Sequence, residues 1–420
     1  MKSIAILHYS CPPVVGGVEE IIRQQAFLFQ RYFHPIKILA GAGSQFSDKI
    51  LIEINPLLSS QNNEIIKAQN NYSKNQQPFR ALTRKIFTYL KNNLQHFDVL
   101  IAHNVLSMPY NLPLAYALHR LANQKIISVV GWNHDSPFFY RNYSSKFNRK
   151  PWSVLKKYNP SIAYITISQS RVQEFSSLYG GKNEIKVIPN GIDPIGFFRL
   201  DTNTVRLIRE NELFETDLLL VQPSRLHPRK NIELSIRVLR ALRERGIAAK
   251  LLLTGAHDPH ERITMKYYRQ LKVLAQNENV EKHIIMIADY IFNSGEKLPA
   301  DRVIMRDLYH ISDLLFLPSA QEGFGIPLLE AGMIKLPIAC SDIPPFKSIA
   351  AENVCYFSLD ETPQAIAGKI VDFLNELKPH RMYRNVIRQY VWDNIYHKQL
   401  KPFIETLDSG SAKTNVLPET

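Results

Sequence analysis

Short apolar runs rich in Ile, Val and Leu recur along the chain. Each is followed by a longer stretch whose apolar residues return every three or four positions. Ile4-Ala5-Ile6-Leu7 is the first run, a glycine-rich turn and a helical pattern from about Val18 to Phe33 follow, and Ile36–Ala40 is the next. Val99–Ala102, Ile126–Val130 and Ala163–Ile167 continue the series. Runs that are apolar throughout predict strands buried on both faces, and the helical spacers predict crossovers between parallel neighbours. Residues 59–97 are polar and rich in Asn, Gln and Lys, yet Phe79, Leu82, Ile86, Phe87 and Leu90 fall on one helical face. That face is expected to pack on its own domain rather than on a membrane.

The scheme restarts at Leu218–Val221. Lys250–Thr254, Ile284–Ile287, Leu314–Leu317 and Ile338–Cys340 read as strands, and Ile232–Arg245 reads as a helix with Leu234, Val238, Leu239 and Leu242 inward. A linker is expected at Asp193–Asp201, after the turn Pro189-Asn190-Gly191. The expectation is two doubly wound α/β domains facing each other, with a cleft at the carboxyl ends of both sheets.

Composition narrows the class. The 420 residues are 45% hydrophobic and 21% charged, which excludes wholesale disorder. Cys11, Cys340 and Cys355 are too scattered for a disulfide framework or a zinc site, so a reducing, cytoplasmic compartment is expected. The N-terminus reads as a strand and turn rather than a signal peptide, and no run approaches the length of a membrane span. The formal charge is +13, and its distribution is uneven: residues 1–200 hold 23 basic and 10 acidic side chains, whereas 201–420 hold 28 of each. A basic half suits an anionic partner, such as a phosphorylated acceptor or the inner face of a membrane, although it also serves solubility. No nucleic-acid-binding pattern accompanies the charge.

Four segments carry candidate chemistry. Pro12-Pro13-Val14-Val15-Gly16-Gly17-Val18-Glu19 follows the first strand and opens a helix, where glycines let backbone approach a ligand. It lacks the three-glycine dinucleotide fingerprint. Pro223–Asn231 lies between a strand and a helix and carries Arg225 and Lys230, two cations suited to a diphosphate. Pro318–Ala331 holds Glu322 and Glu330 on either side of Gly323-Phe324-Gly325-Ile326-Pro327. Glu322 is on the loop, where it can meet sugar hydroxyls. Pro327 suits the first turn of a helix, so Glu330 lies about one turn inside and can chelate vicinal hydroxyls. Gly131-Trp132-Asn133-His134-Asp135 follows a strand and offers His134, and Asp98…His103-Asn104 has a similar layout.

Jointly these segments resemble the retaining glycosyltransferases of family 4, which have the GT-B fold. The matching features run in the family's order over about residues 4–345: Pro-Pro-x-x-Gly-Gly, His103 and His134 at strand ends, Val187–Asp193, Arg225…Lys230, and Glu322-x7-Glu330. The resemblance implies an acceptor-binding Rossmann-like domain at 1–197, rejoined by a crossing helix at about 384–410. It implies a nucleotide-sugar-binding Rossmann-like domain at 198–383. It implies a metal-independent hexosyltransferase with no cofactor, acting in polysaccharide, glycolipid or glycoconjugate synthesis. Arg225 and Lys230 would hold the donor diphosphate, Glu322 and the backbone of Gly323, Phe324 and Gly325 the transferred sugar, and Glu330 the ribose. His134 would contact the donor sugar or the reacting centre. Gly16 and Gly17 would line the cleft near the donor phosphates and the acceptor, and Thr254-Gly255 and Ile287–Tyr290 would lie at the base. Two departures stand out: Lys335 and Ala288-Asp289 occupy positions where the family has glycine. The acceptor is not legible; the charge admits an anionic or membrane-held one, and peripheral membrane contact. An epimerase acting on the sugar nucleotide alone, or an inactive lipid- or polyanion-binding protein of the same fold, are the competing readings.

Overall fold

The computed structural model describes residues 1–181, 184–255 and 262–407, without the side chains of 262–264. The chain divides into two compact units, one formed by Met1–Asp193 with the residues from Tyr390 onward, the other by Pro194–Gln389. The sequence-based boundaries, 197 and 384, lie within a few residues of these, and positions 408–410 of the expected crossing helix lie outside the described residues.

The first unit has seven parallel strands: β1 (Ile4–His8), β2 (Ile36–Ala40), β3 (Leu51–Ile54), β4 (Val99–His103), β5 (Ser128–Asn133), β6 (Ile162–Thr166) and β7 (Ile185–Val187). Their order is 3-2-1-4-5-6-7. Helices α1 (Gly17–Arg31), α2 (Asn63–Asn70), α3 (Gln77–Leu94), α4 (Leu112–Asn123) and α5 (Gln169–Leu178) cover the sheet. Strand residues alternate between two cores: Ala5 and Leu7 join Leu39, Leu100 and the inner faces of α3 and α4, while Ile4 and Ile6 meet Phe29 of α1. The apolar face of α3 is buried in the first of these cores, so it is not free for a membrane. Strand β5 starts two residues later than its apolar run and extends to Asn133. Ile126 and Ile127 are spent on the turn out of α4, where Lys125 takes a left-handed conformation (φ 50°). Gly131, Trp132 and Asn133 therefore belong to the strand, and His134 is the first residue beyond it.

The second unit opens with α6 (Pro194–Phe198) and α7 (Thr202–Glu210). Its strands are β8 (Leu218–Gln222), β9 (Ala249–Leu253), β10 (Ile284–Met286), β11 (Leu314–Leu317), β12 (Ile338–Ser341) and β13 (Cys355–Phe357), in the order 10-9-8-11-12-13. Helices α8 (Ile232–Glu244), α9 (Arg262–Asn277), α10 (Arg302–Ile311), α11 (Ile326–Met333), α12 (Pro344–Ala350), α13 (Pro363–Glu376) and α14 (Lys378–Gln389) complete it. The last of these is tied to the sheet by the Arg384 guanidinium, whose Nη1 lies 3.2 Å from the Asp313 carboxylate ahead of β11.

After Gln389 the chain returns to the first unit through α15 (Trp392–Ile395) and α16 (Lys401–Thr406). Trp392, Ile395, Tyr396, Leu400 and Phe403 are buried against α1 and β1, and the Tyr32 and Tyr396 rings stack at 3.9 Å. Ile192 and Val391 form a parallel bridge, so the outgoing and returning chains run side by side there. Among the described residues, no helix is long and apolar enough to cross a membrane.

Candidate active site

In each sheet the strand order reverses beside the first strand, between β1 and β4 and between β8 and β11. Loops leaving the carboxyl ends there splay apart and open a crevice, which is where open α/β sheets take ligands. Three of the four segments singled out by sequence leave strands at these two points, after β1, β8 and β11, and the fourth closes β5, the neighbour of β4.

In the second unit, the loops after β8, β9 and β11 are locked together through backbone. The Ala320 amide donates to the Arg229 carbonyl at 2.8 Å. A Cβ on Gly255 would fall 1.8 Å from the Ser224 carbonyl oxygen and 2.6 Å from Arg225 Cα, so only glycine lets these two loops touch. Buried Gln222, at the tip of β8, donates to the Lys230 carbonyl at 3.1 Å and accepts from Ser235. This lattice presents Arg225, which is exposed and has no ion-pair partner among the described residues.

Lys230 and Glu322 are 92 positions apart and bond to each other directly. The Glu322 carboxylate also accepts from Ser319 at 2.9 Å and lies 3.3 Å from Arg229. The sequence reading assigned Lys230 and Glu322 to different parts of a ligand; their mutual pairing was not foreseen. Gly325 takes φ +119° just ahead of α11, a conformation that favours glycine, and Pro327 follows in the first turn. Gly323 faces open space and Phe324 is exposed. Glu330 lies on α11 as expected, its carboxylate accepting from the Tyr309 hydroxyl at 2.7 Å. Burial and the adjacent carboxylate raise the Tyr309 pKa, so the phenol stays a donor. Where glycine was expected, Ile287–Asp289 forms a single 3-10 turn.

In the first unit, His8, His103 and His134 stand at the ends of β1, β4 and β5, all buried. With the Gln25 amide oxygen accepting from His103 Nε2 (3.0 Å), Nδ1 of His103 must itself accept. His134 therefore donates from Nε2 (3.0 Å) and accepts the Asn190 amide at Nδ1 (3.2 Å). Asn104, in a left-handed conformation, accepts the His134 backbone N–H at 2.7 Å. Both ring nitrogens of His134 are thus engaged by protein. Burial, with the nearby His8, depresses the His134 pKa to about 3, and burial holds His103 well below the ordinary range. These rings are neutral at physiological pH.

Gly16 precedes α1, and the Glu19 carboxylate occupies the space its side chain would need, 2.1 Å from an ideal Cβ. Glu19 accepts from Ser10 at 2.5 Å and lies 3.9 Å from His8 Nε2. With Glu19 and Glu20 in the first turn, the positive end of α1 already faces carboxylates. Gly17 is open. Sequence reasoning passed over His8, Glu19 and Gln25. The signal for His8 was available, a polar residue closing a wholly apolar strand; Gln25 carried none. In Pro189-Asn190-Gly191, Asn190 reaches His134, and a Cβ on Gly191 would press into the Trp392 ring at 2.5 Å.

Residues 15–195 match the sequence profile described as Glycosyltransferase Family 4, and residues 204–389 match that of Glycosyl transferases group 1. The chain belongs to the family 4 glycosyltransferases, and its two doubly wound units are the domain pair of the GT-B fold. It is 26% identical over 273 residues to the mannosylglucosylglycerate synthase of Petrotoga mobilis, covering 60% of this chain and 61% of that protein. It is 24% identical over 387 residues to the mannosylglucosylglycerate synthase of Thermotoga maritima, covering 85% of each. A 68-residue stretch is 48% identical to the serotype-specific mannosyltransferase WbdA of Escherichia coli, 16% of this chain and 8% of that one.

Proposed function

We propose that this glycosyltransferase moves a hexosyl unit from a nucleotide-diphosphate sugar to an acceptor hydroxyl, with retention at the anomeric carbon and no metal. Mannose is the first candidate, because the relatives in Petrotoga mobilis, Thermotoga maritima and Escherichia coli carry mannosyl transfer in their names. The single observation that supports the reading most is the union of the β8 and β11 tips: Glu322 bonds to Lys230 on the loop that also carries Arg225, exposed and without an ion-pair partner among the described residues, and Glu330 follows on α11.

In this reading Arg225 and Lys230 take the diphosphate. Negative charge grows on the departing phosphate oxygen in the transition state, so these contacts strengthen there and lower the barrier. Glu322 and the Gly323–Gly325 backbone hold the sugar, and Glu330 holds the ribose. The acceptor oxygen bonds to the anomeric carbon from the face the diphosphate leaves. The bond to the diphosphate oxygen breaks, and that oxygen takes the acceptor's proton. No side-chain nucleophile is needed. The loops of the first unit serve the acceptor; His134 orders them through Asn190 and Asn104 rather than by a ring nitrogen on the substrate. A cytoplasmic place of action, in the building of a polysaccharide or another glycoconjugate, fits this chemistry.

The test is a thermal-shift panel of UDP-, GDP- and ADP-linked hexoses. A donor at 100 times its Kd stabilises the folded form by about 2.7 kcal/mol, an easily read rise in Tm. If no sugar nucleotide raises Tm, the reading fails.

A further inference from the structure

Part of the basic excess of the first 200 residues is gathered in a single connection. Between β5 and β6 the chain makes an excursion, residues 135–157, containing six basic side chains and one acidic one, Asp135. The excursion is a built platform. Phe138 packs edge-on against Tyr143 and Phe147, at 5.1 and 6.1 Å between ring centroids, and Lys156 lies 4.6 Å over the Phe138 ring. Trp152 and Leu155 are buried beneath.

The one carboxylate is already used. Asp135 accepts from the Tyr140 hydroxyl at 2.6 Å and pairs with Arg171 of α5 at 3.1 Å, which pins the start of the excursion beside His134 at the end of β5. Arg141, Arg149 and Lys150 are exposed and have no carboxylate partner among the described residues. These cations, spent neither on a carboxylate nor on an aromatic ring, leave net positive charge on the excursion that follows the carboxyl end of β5, a surface able to attract an anion. A membrane surface would be met by exposed aliphatic or aromatic wedges. Here Trp152 and Leu155 are buried, Phe138 and Phe147 are partly buried against the core, and the exposed aromatic residues are Tyr140 and Tyr143, whose tips are polar.

We propose that this excursion binds an acidic group, a carboxylate or phosphate, on a small soluble acceptor. The inference rests on the transferase reading and names the acceptor class for it. The names of the Petrotoga and Thermotoga relatives, mannosylglucosylglycerate synthases, contain the carboxylate-bearing glycerate and fit an acceptor of that kind.

The test is calorimetric binding to the full chain, with and without UDP or GDP, of two matched pairs: glucosylglycerate against glucosylglycerol, and glucose 6-phosphate against glucose. One charged member is expected to bind about 10- to 100-fold more tightly than its neutral counterpart, as hydrogen bonds to a charged group allow. That preference should shrink as salt is raised. Arg141→Ala/Arg149→Ala/Lys150→Ala should abolish it, and Arg141→Lys/Arg149→Lys should keep most of it. The salt series on the unaltered protein decides the matter if the triple variant does not fold. Equal affinity within both pairs overturns the inference. So does cosedimentation with phosphatidylglycerol vesicles, but not phosphatidylcholine vesicles, by a protein that shows no charged preference among the soluble probes. A donor-induced rise in Tm without a charged preference sinks this inference alone; the reverse result sinks the transferase reading and, with it, the acceptor role of the anion-binding excursion.

Discussion

Arg225 and Lys230 are both cations on one loop, yet the fold treats them differently. Lys230 is half-buried and held by Glu322, whereas Arg225 projects from a backbone contact that Gly255 alone permits. An unpaired guanidinium is the group free to answer charge that develops on a ligand. Arg225→Ala should therefore lower kcat by about 100-fold or more, the usual cost of losing a donor that serves the transition state. Steady-state release of the nucleotide diphosphate measures it, and unchanged turnover would remove the assigned role. Both residues were visible in Pro223–Asn231 from their types and spacing. The Lys230–Glu322 bond was not, because its partners lie in separate loops of the chain. His134 was also visible from its place after a strand, but its bonds to His103 and Asn190 were not.

At the scale of elements, ten of the strands are apolar runs and were legible, while β3, β7 and β13 were not. All three are sheet edges. A strand paired on one side keeps a wet face, so Leu51-Ile52-Glu53-Ile54 and Ile185-Lys186-Val187 lack the continuous apolar signature of the interior strands. Turns show the opposite case, a local departure with a local cost. Lys335, after α11, adopts φ 61°, a left-handed conformation that burdens any residue with a Cβ. Lys335→Gly should raise the stability of the second unit by about 1 kcal/mol, the relief of that strain less the added freedom of the unfolded chain. All three tryptophans lie in the first unit, so hydrogen exchange of the second unit's amides across a urea series reads the shift, and a lower midpoint would contradict it.

For the molecule as a whole, the buried histidines set the response to acid. His103 and His134, together with His119, whose pKa burial lowers to about 4, all lie in the first unit. In the unfolded chain they take up protons below about pH 6.5, and in the folded chain only at far lower pH. Folding stability contributed by these groups is intact above pH 6.5 and falls as pH drops from there toward 3. Each costs on the order of 1 kcal/mol per pH unit within that window. In the second unit burial lowers the His380 pKa to about 4, a loss of the same sign, but raises the Asp313 pKa to about 6, a contribution of opposite sign that favours the folded form in acid and is lost as pH rises through 6. Lowering pH from 7 to 5 should thus reduce amide protection factors, corrected for intrinsic exchange, in the first unit more than in the second. An equal fall in both would show that the first unit's histidines do not govern the response.

The order of motifs, the alternation of strand and helix, and the excess of cations before residue 200 are properties of neighbouring residues, so the chain alone was enough to establish the α/β class and to nominate Arg225, Lys230, Glu322 and Glu330. Which group each of these meets depended on distances the linear order does not contain: Glu322 reaches back 92 positions to Lys230, His103 reaches back 78 to Gln25, and Asn190 reaches back 56 to His134. Hydrogen bonds act over a few ångströms of space and are blind to separation along the chain, so their pairing was decided only when the strands had brought their ends together.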